Sequence, residues 1–477
     1  MTPALPEAYL PRRAPLSVWR QSGWRGLDRR DGVKEGFLSR AQGIDPRALP
    51  TLTSMKRPKR TAHKPIAGKP LSLSVADGVL YVVSEEQGEA TLYREWEGEW
   101  QAFSLGAAYP GHARTILPFP FYNNPENPLD NYYNFPMTTI FPDGVFLRPD
   151  REETELSHLY RRTDGELPYL SHACLYLSRL FGVGGMVAYA SDHNCVTKWY
   201  YDTANNVSAS HAWYTTSQAG GASGGDFTAI VPFAGQLLAF KEKSCLLISG
   251  NKNPFRIAEL LSVGTTDGKT VAQAGECLFF ADRREVYCFD GEDVRGIGAP
   301  LGVQDFSGAI GAGADGLYYL YVPSVDRIFL YAPSTGAWSE LSPFTEHPIA
   351  AMASTGNGHC LFLDEAGVLY STEGATDIHF SAESSVLVPA LPAPSRLVRL
   401  RLTLTADEGA SLTLSCRFSG GRSVPLCTIE GDGRTERRSV RIPTTADTAA
   451  SLAFSGEGRI IISEMDLVTA ETATDGA

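Results

Sequence analysis

No segment of the 477-residue sequence is apolar for long enough to span a bilayer as a helix, and none of its eight cysteines forms a Cys-x-x-Cys pair. The first absence argues against a helical membrane protein. The second argues against a zinc ribbon or a dithiol redox centre, so Cys174, Cys195, Cys245, Cys277, Cys288, Cys360, Cys416 and Cys427 read as reduced, buried small hydrophobes. The nine histidines never stand at the i, i+4 spacing of a helical zinc site, and no metal centre is expected. A phosphate-binding loop is also missing. "GTTDGKT" (264–270) has three residues between its glycines where that loop needs four, and it lies between strand-like segments instead of ahead of a helix, so it reads as a β-turn. "DGED" (290–293) lacks the alternating oxygen donors of a calcium loop and reads as a solvated turn. "SDHN" (191–194) sets Asp192 beside His193, which puts them on opposite faces of a strand, so a hairpin turn is expected there and not a shared proton path. No convergent carboxylate pair can be picked out, and "PSTGAW" lacks the aspartate of a sialidase turn. The expectation is a protein without cofactor, metal or enzymatic activity. The opening "MTPALPEAYLPRRAPLSVW" has no apolar run of signal-peptide length, so cytoplasmic synthesis is expected, and the Asn206-Val-Ser208 sequon reads as a chance match.

What the sequence does have is glycine, proline and aromatics: 46 Gly, 30 Pro, 22 Phe, 20 Tyr and 7 Trp, a balance that favours strands and tight turns. It also repeats itself. "GVLYVVSEEQGEATLYREWEGEW" places Gly78, Tyr81, Tyr93, Gly98 and Trp100 at the same intervals as Gly316, Tyr319, Tyr331, Gly336 and Trp338 in "GLYYLYVPSVDRIFLYAPSTGAW". Glycines that end a short apolar strand recur at 78, 144, 185, 235, 275, 316 and 358, and four of the six intervals agree within two residues near 41. A four-stranded propeller blade needs about 40 to 50 residues, and the two long intervals fall on the turn-rich stretches 121–136 and 205–226. Small residues crowd the first strand of several units ("FTAIVPFAG", "GAIGAGADG", "AAMASTGNG"), as strands around a central axis demand. The expected fold is all-β: a seven-bladed β-propeller over 69–380, with two packed β-sandwiches as the alternative. After the proline-rich "LVPALPAPSR", the alternation Val398, Leu400, Leu402, Leu404 and Leu412, Leu414, Cys416, Phe418 predicts a C-terminal antiparallel β-sandwich over 394–470.

Residues 1–68 have no sustained period and read as an extended basic N-terminal arm. They hold 14 Lys+Arg against 5 Asp+Glu, leaving 28 against 49 for the remainder of a chain whose net charge is −12. Lys56, Arg57, Lys59 and Arg60 in "MKRPKRTAHK" are candidate contacts to a partner or sister subunit. Tyr122, Tyr132, Tyr133 and Trp213, in the two insertions, are candidate stacking platforms for a ligand, though packing of the loops themselves is the favoured explanation.

The run "FTAIVPFAGQLLAFKEKSCLLISGNKNPFRIAELLSVGTTDGKTVAQAGECLFFADRREVYCFDGEDVRGIG" (227–298), the C-terminal "VRIPTTADTAASLAFSGEGRIIISEMDL" and the opening "WRGLDRRDGVKEGFLSRAQGIDPRALPTLTSMKRPKR" resemble tailed-bacteriophage or prophage virion proteins built on a β-propeller, of the podovirus tail-nozzle and packaged-DNA-stabilisation type. The resemblance implies a homo-oligomeric structural part of the tail that contacts other tail or head-tail proteins and ends in the virion. DNA would pass it without sequence-specific binding along an acidic lumen, and no membrane would be involved. A receptor- or glycan-binding propeller, and a host protein-interaction scaffold, are the other two readings.

Overall fold

The computed structural model describes residues 16–21, 23–31, 35–119, 136–159, 167–196, 199, 212–215, 225–385, 395–419, 421–443 and 449–471. The described chain is all-β, its helical structure confined to the 3-10 turns Pro46–Ala48, Gly268–Thr270 and Ala299–Leu301. None of its helices is long and apolar enough to cross a membrane.

Seven antiparallel units follow one another, here sheets I to VII: 69–106, 115–158, 172–214, 227–261, 272–296, 310–340 and 349–371; the first six each supply four strands and the last supplies three. Their strands form because β-branched and aromatic residues alternate or run continuously between turn residues, and those runs are buried on both faces. Leu317–Val322 and Cys277–Ala281 are buried at every position. The seven glycines singled out by spacing all take left-handed φ, from 56° at Gly185 to 83° at Gly358. Two of them sit one hairpin later than the repeat implied. Gly144 and Gly185 follow the second strand of sheets II and III, whereas the other five follow the first.

Packing runs from sheet to sheet. Separate apolar clusters lie between I and II, II and III, III and IV, IV and V, and VI and VII. A further one sets Leu361, Leu363 and Leu369 of sheet VII against Leu73, Leu80 and Val82 of sheet I, so the last unit packs on the first. The interface between V and VI is continuous with a larger core that also takes in the C-terminal strands.

Those C-terminal strands form two further layers. One is ordered Leu16–Gln21, Ile460–Glu471, Ser395–Ala406, Thr435–Arg441; the other runs His379–Ser384, Ala449–Glu457, Ser411–Phe418, Ser423–Glu430. Leu400, Leu402 and Leu404 from the first and Leu412, Leu414, Cys416 and Phe418 from the second point into one shared core, as their alternation requires. A bulge between Leu397 and Arg399 takes Val398 out of that alternation. The strand His379–Ser384 belongs to this region, which therefore starts ahead of residue 394.

The described part of the N-terminal segment is built into the sheets of the rest of the chain. Its strand Leu38–Gln42 is inserted between sheet VI and His379–Ser384, parallel to the former and antiparallel to the latter, and splices both into one nine-stranded sheet. Leu16–Gln21 and Leu52–Thr53 pair with Ile460–Glu471. Lys59–Arg60 is the outer strand of sheet VII. Trp24, Leu27, Leu38, Ile44 and Leu52 lie in the core that joins propeller-like and C-terminal parts, with Trp24 edge-on to Phe454 at 5.6 Å. Hydrophobic burial against two preformed surfaces orders a segment that has no core of its own.

Candidate functional site

The first strands of neighbouring sheets lie side by side, with the turn Gly268–Thr270 against the first strand of IV, and where they converge the structure has a cavity of about 380 Å³. Six units contribute to its wall: Ser72, Thr115, His172, Lys269, Gly311 and Met352 come from sheets I, II and III, the turn before V, and sheets VI and VII. The crowding that favours small residues is explicit here. A Cβ on Gly313 would fall on the carbonyl oxygen of Gln273, and one on Gly311 would stand 2.7 Å from the oxygen of Thr270.

The chemistry of the wall is mixed. Leu71, Leu73, Ile116, Val271, Ile310 and Met352 supply apolar surface. Arg114 is buried but committed: Nε donates to Asp143 Oδ2 at 2.7 Å, Nη2 donates to Oδ1 at 3.3 Å, and Nη1 donates to the carbonyls of Tyr109 and His112. A bidentate pair of this kind fixes geometry, and the four bonds commit four of the five guanidinium N–H groups within the chain. His172 lies with Nδ1 3.3 Å from Ser171 Oγ, and burial, reinforced by the Lys269 ammonium, pushes its pKa below the usual histidine value against the opposing pull of Asp267. It is a neutral ring near pH 7. Ser171 Oγ donates to the carbonyl of Val183 at 3.0 Å, so this serine is not a nucleophile handing its proton to the histidine. Lys269 is exposed, and no carboxylate lines the cavity among the described residues.

"GTTDGKT" thus lies at the axis, though it is no phosphate cradle. Asp267 Oδ1 accepts from Lys269 N at 3.0 Å and Thr265 Oγ1 accepts from Asp267 N at 3.3 Å, which consumes the amides that such a loop would present. Gly268 is required because a Cβ there would stand 2.7 Å from His172 Nε2. The spacing argument could discard the nucleotide motif, but nothing local indicated that its lysine reaches a shared cavity. Asp290 caps its own turn, accepting from the amides of Glu292 and Asp293 at 3.1 and 2.9 Å. Asp192 accepts from the amide of Ala212, which anchors the turn at His193 to the strand beyond the insertion.

The other candidate residues lie elsewhere. Trp213 is not a ligand platform: it starts the outer strand of sheet III, is 6% exposed, and packs edge-on to Phe255 at 5.4 Å. A large ring next to an apolar sheet face is buried by the hydrophobic effect, whatever the polarity of the loop it follows. Tyr122, Tyr132 and Tyr133 lie outside the described residues. Of the basic quartet, Lys59 and Arg60 pair with Ser371 and Tyr370 in sheet VII, and Arg57 Nη2 is 2.8 Å from Asp377 Oδ2. Their backbone is used within the chain, while the side chains of Lys56, Lys59 and Arg60 stay exposed.

No protein-family model matches the chain, and no curated protein matches it. Among solved structures it is similar to the WD40 β-propeller domain of Doa1 (9% identity, TM-score 0.42, covering 66% of this chain and 96% of that one) and to YCF48 from Cyanidioschyzon merolae (12%, 0.38, 66% and 98%). It is also similar to a streptogramin B lyase (10%, 0.39, 66% and 95%).

Proposed function

We propose that the chain is a non-enzymatic binding protein: a seven-bladed β-propeller closed on itself, braced by a C-terminal β-sandwich, whose axial cavity takes a ligand. Seven successive four-stranded sheets, with the last packed on the first, support the closed ring. The observation that carries the binding role is the cavity itself. Its 380 Å³ lies in the range of small-molecule sites, its walls combine aliphatic side chains with serine and threonine hydroxyls, and Lys269 is its available cation. An apolar body bearing one carboxylate, either a small molecule or the acidic tip of a partner's loop, meets those requirements. The test is titration calorimetry against a library of short peptides carrying one Asp or Glu beside leucine. Micromolar binding that is lost in Lys269→Glu and in a plugged Ala350→Trp variant is the expected result. Binding unchanged by both would place the site elsewhere.

A structural role in a phage or prophage tail is the finer reading implied by the sequence resemblance. The exposed side chains of Lys56, Lys59 and Arg60 on the rim of sheet VII favour contact with an acidic partner. The axial cavity is far too small to admit a DNA duplex, so any DNA path would have to be formed by several copies around a common axis. Light scattering of the purified protein across concentration and salt tests this. A ring that falls apart in the Lys56→Glu, Lys59→Glu, Arg60→Glu variant is expected, and a strict monomer in every condition counts against it.

A further inference from the structure

The outer face of the C-terminal sheet formed by Leu16–Gln21, Ile460–Glu471, Ser395–Ala406 and Thr435–Arg441 carries an arginine cluster. Strand alternation sends Leu400, Leu402, Leu404 and Val440 inward, so Arg399, Arg401, Arg437 and Arg441 project from the opposite face, joined by Arg20. Arg399 is paired directly across the ladder with Arg441, and Arg401 stands two residues along on the same face. Opposed Cβ atoms in such a ladder are roughly 5 Å apart, and neighbours along a strand roughly 7 Å.

Asp466 is the counter-charge at the centre of this face, and it is spoken for. Its Oδ1 accepts from Arg20 at 3.2 Å and its Oδ2 from Arg437 at 2.8 Å. Glu464 accepts from Thr403. Arg399, Arg401 and Arg441 have no ion-pair partner among the described residues, although like charges set opposite each other destabilise a sheet. In the neighbouring ladder Arg401 lies opposite Asp466, whose two oxygens are already taken, so this face sets five arginines against Asp466 and Glu464.

We infer that this face binds the sugar-phosphate backbone of duplex nucleic acid, without reading its sequence. The cations are all arginine, whose planar fork matches phosphate oxygens, and no lysine occurs anywhere after Lys269. Ser439 lies on the same face, as do Thr405 and Thr435, whose hydroxyls are 2.8 Å apart and share one bond, so the face adds hydroxyl donors of the kind that contact phosphates. Charges repeated at strand spacing suit a polymer of phosphates. No aromatic residue is on the described part of this face, which removes the stacking platforms that single strands need and favours a duplex.

The test uses the full chain and a fluorescent 30-base-pair duplex of mixed sequence, followed by anisotropy between 50 and 200 mM salt. Binding with a Kd of about 1–100 µM at low salt, equal for two unrelated sequences, is expected. Replacing Arg399, Arg401 and Arg441 by alanine should weaken it at least about tenfold and lower the log–log salt slope by roughly 3. The same positions changed to lysine should keep that slope while losing affinity, which separates lost charge from a damaged fold. The alanine variant should melt no earlier than the parent, since it removes repulsion. No binding at 100 µM protein in 50 mM salt, or an alanine variant with unchanged affinity and slope, would overturn the inference. So would self-association of the parent that the alanine variant abolishes, because the face would then serve a second copy of the chain.

Discussion

Sheets I and VI carry the same five anchors on the same strands and turns, although Tyr331 faces Trp338 across its ladder while Tyr93 faces Ala102. Gly78 and Gly316 make the first turn with φ of 76° and 71°, Tyr81 and Tyr319 are buried on the second strand, and Gly98 and Gly336 turn the third strand into the fourth. Trp100 and Trp338 then each donate their indole N–H to a backbone carbonyl, of Lys64 at 2.9 Å and of Ile297 at 2.7 Å. What differs is the surroundings. The outer strand of sheet I, Glu99–Gly106, is largely open, whereas Ala337–Glu340 of sheet VI is buried at every position because Leu38–Gln42 pairs alongside it. Trp100 is accordingly half-buried and Trp338 only 2% exposed. The inner strands differ too: the positions of Leu73 and Val75 in sheet I are Gly311 and Gly313 in sheet VI, where the neighbouring strand comes closest. One local template therefore serves two environments, and the environment sets the energetic weight of each residue.

That comparison can be broken by substitution. Trp338→Ala should cost about 3–5 kcal/mol in urea unfolding, and Trp100→Ala only about 1–2 kcal/mol, because much less apolar area leaves water at the second site. Equal losses would mean that the outer edge of sheet I is covered in solution. Glu340, 3% exposed, receives Nη1 of Arg327 at 3.0 Å and also pairs with Arg29. Glu340→Ala should cost about 3 kcal/mol by stranding two guanidinium groups, whereas Glu99→Ala, which breaks an exposed pair with Lys64, should leave the unfolding midpoint unchanged. Gly313→Val would give sheet VI the residue of sheet I, and the collision with Gln273 should lower stability by about 3 kcal/mol. The turns are where the two sheets agree. Gly78→Ala and Gly316→Ala meet no atom within 4 Å, so each should cost about 1 kcal/mol for the left-handed backbone alone, and a twofold disparity would refute the equivalence.

The smallest effect sets sheet III against both. His172 is held neutral, with its folded pKa below the unfolded value near 6.5, so the stability tied to the neutral ring is present above that pH and is lost as pH falls towards the folded pKa. Thermal midpoints from pH 7.5 down to 5 should decline less in His172→Gln than in the parent. Some slope should remain, since burial and Arg179 also push His193 down.

Where the repeat was legible, a turn glycine marked it; where it was misphased, the turn had none. The first hairpin of sheet III turns through Leu177 and Ser178 at φ 49° and 57°, residues that seldom announce a left-handed turn, so the next glycine, Gly185, stood in for it. In sheet II the corresponding connection runs from Phe119 to Met137 through the insertion, and Gly144 took its place. Trp213 lies inside the second turn-rich stretch, 205–226, and its composition signal came from the neighbours instead of from the strand it begins. The axial cavity was visible only as a bias to small residues.

By itself the sequence determined what depends on near neighbours: strands from alternation, turns from glycine, seven units from their spacing, and the inward leucines of the C-terminal layers. Tertiary structure decided what depends on residues hundreds of positions apart. It placed Leu38–Gln42 between sheet VI and the C-terminal strands, set Lys269 into the wall of a cavity shared by six units, and faced Arg399 against Arg441 with no acid between them. The physical reason is that strand period and turn geometry are encoded within a few residues, whereas pairing partners are chosen by the burial of whole faces, which no short stretch of chain contains.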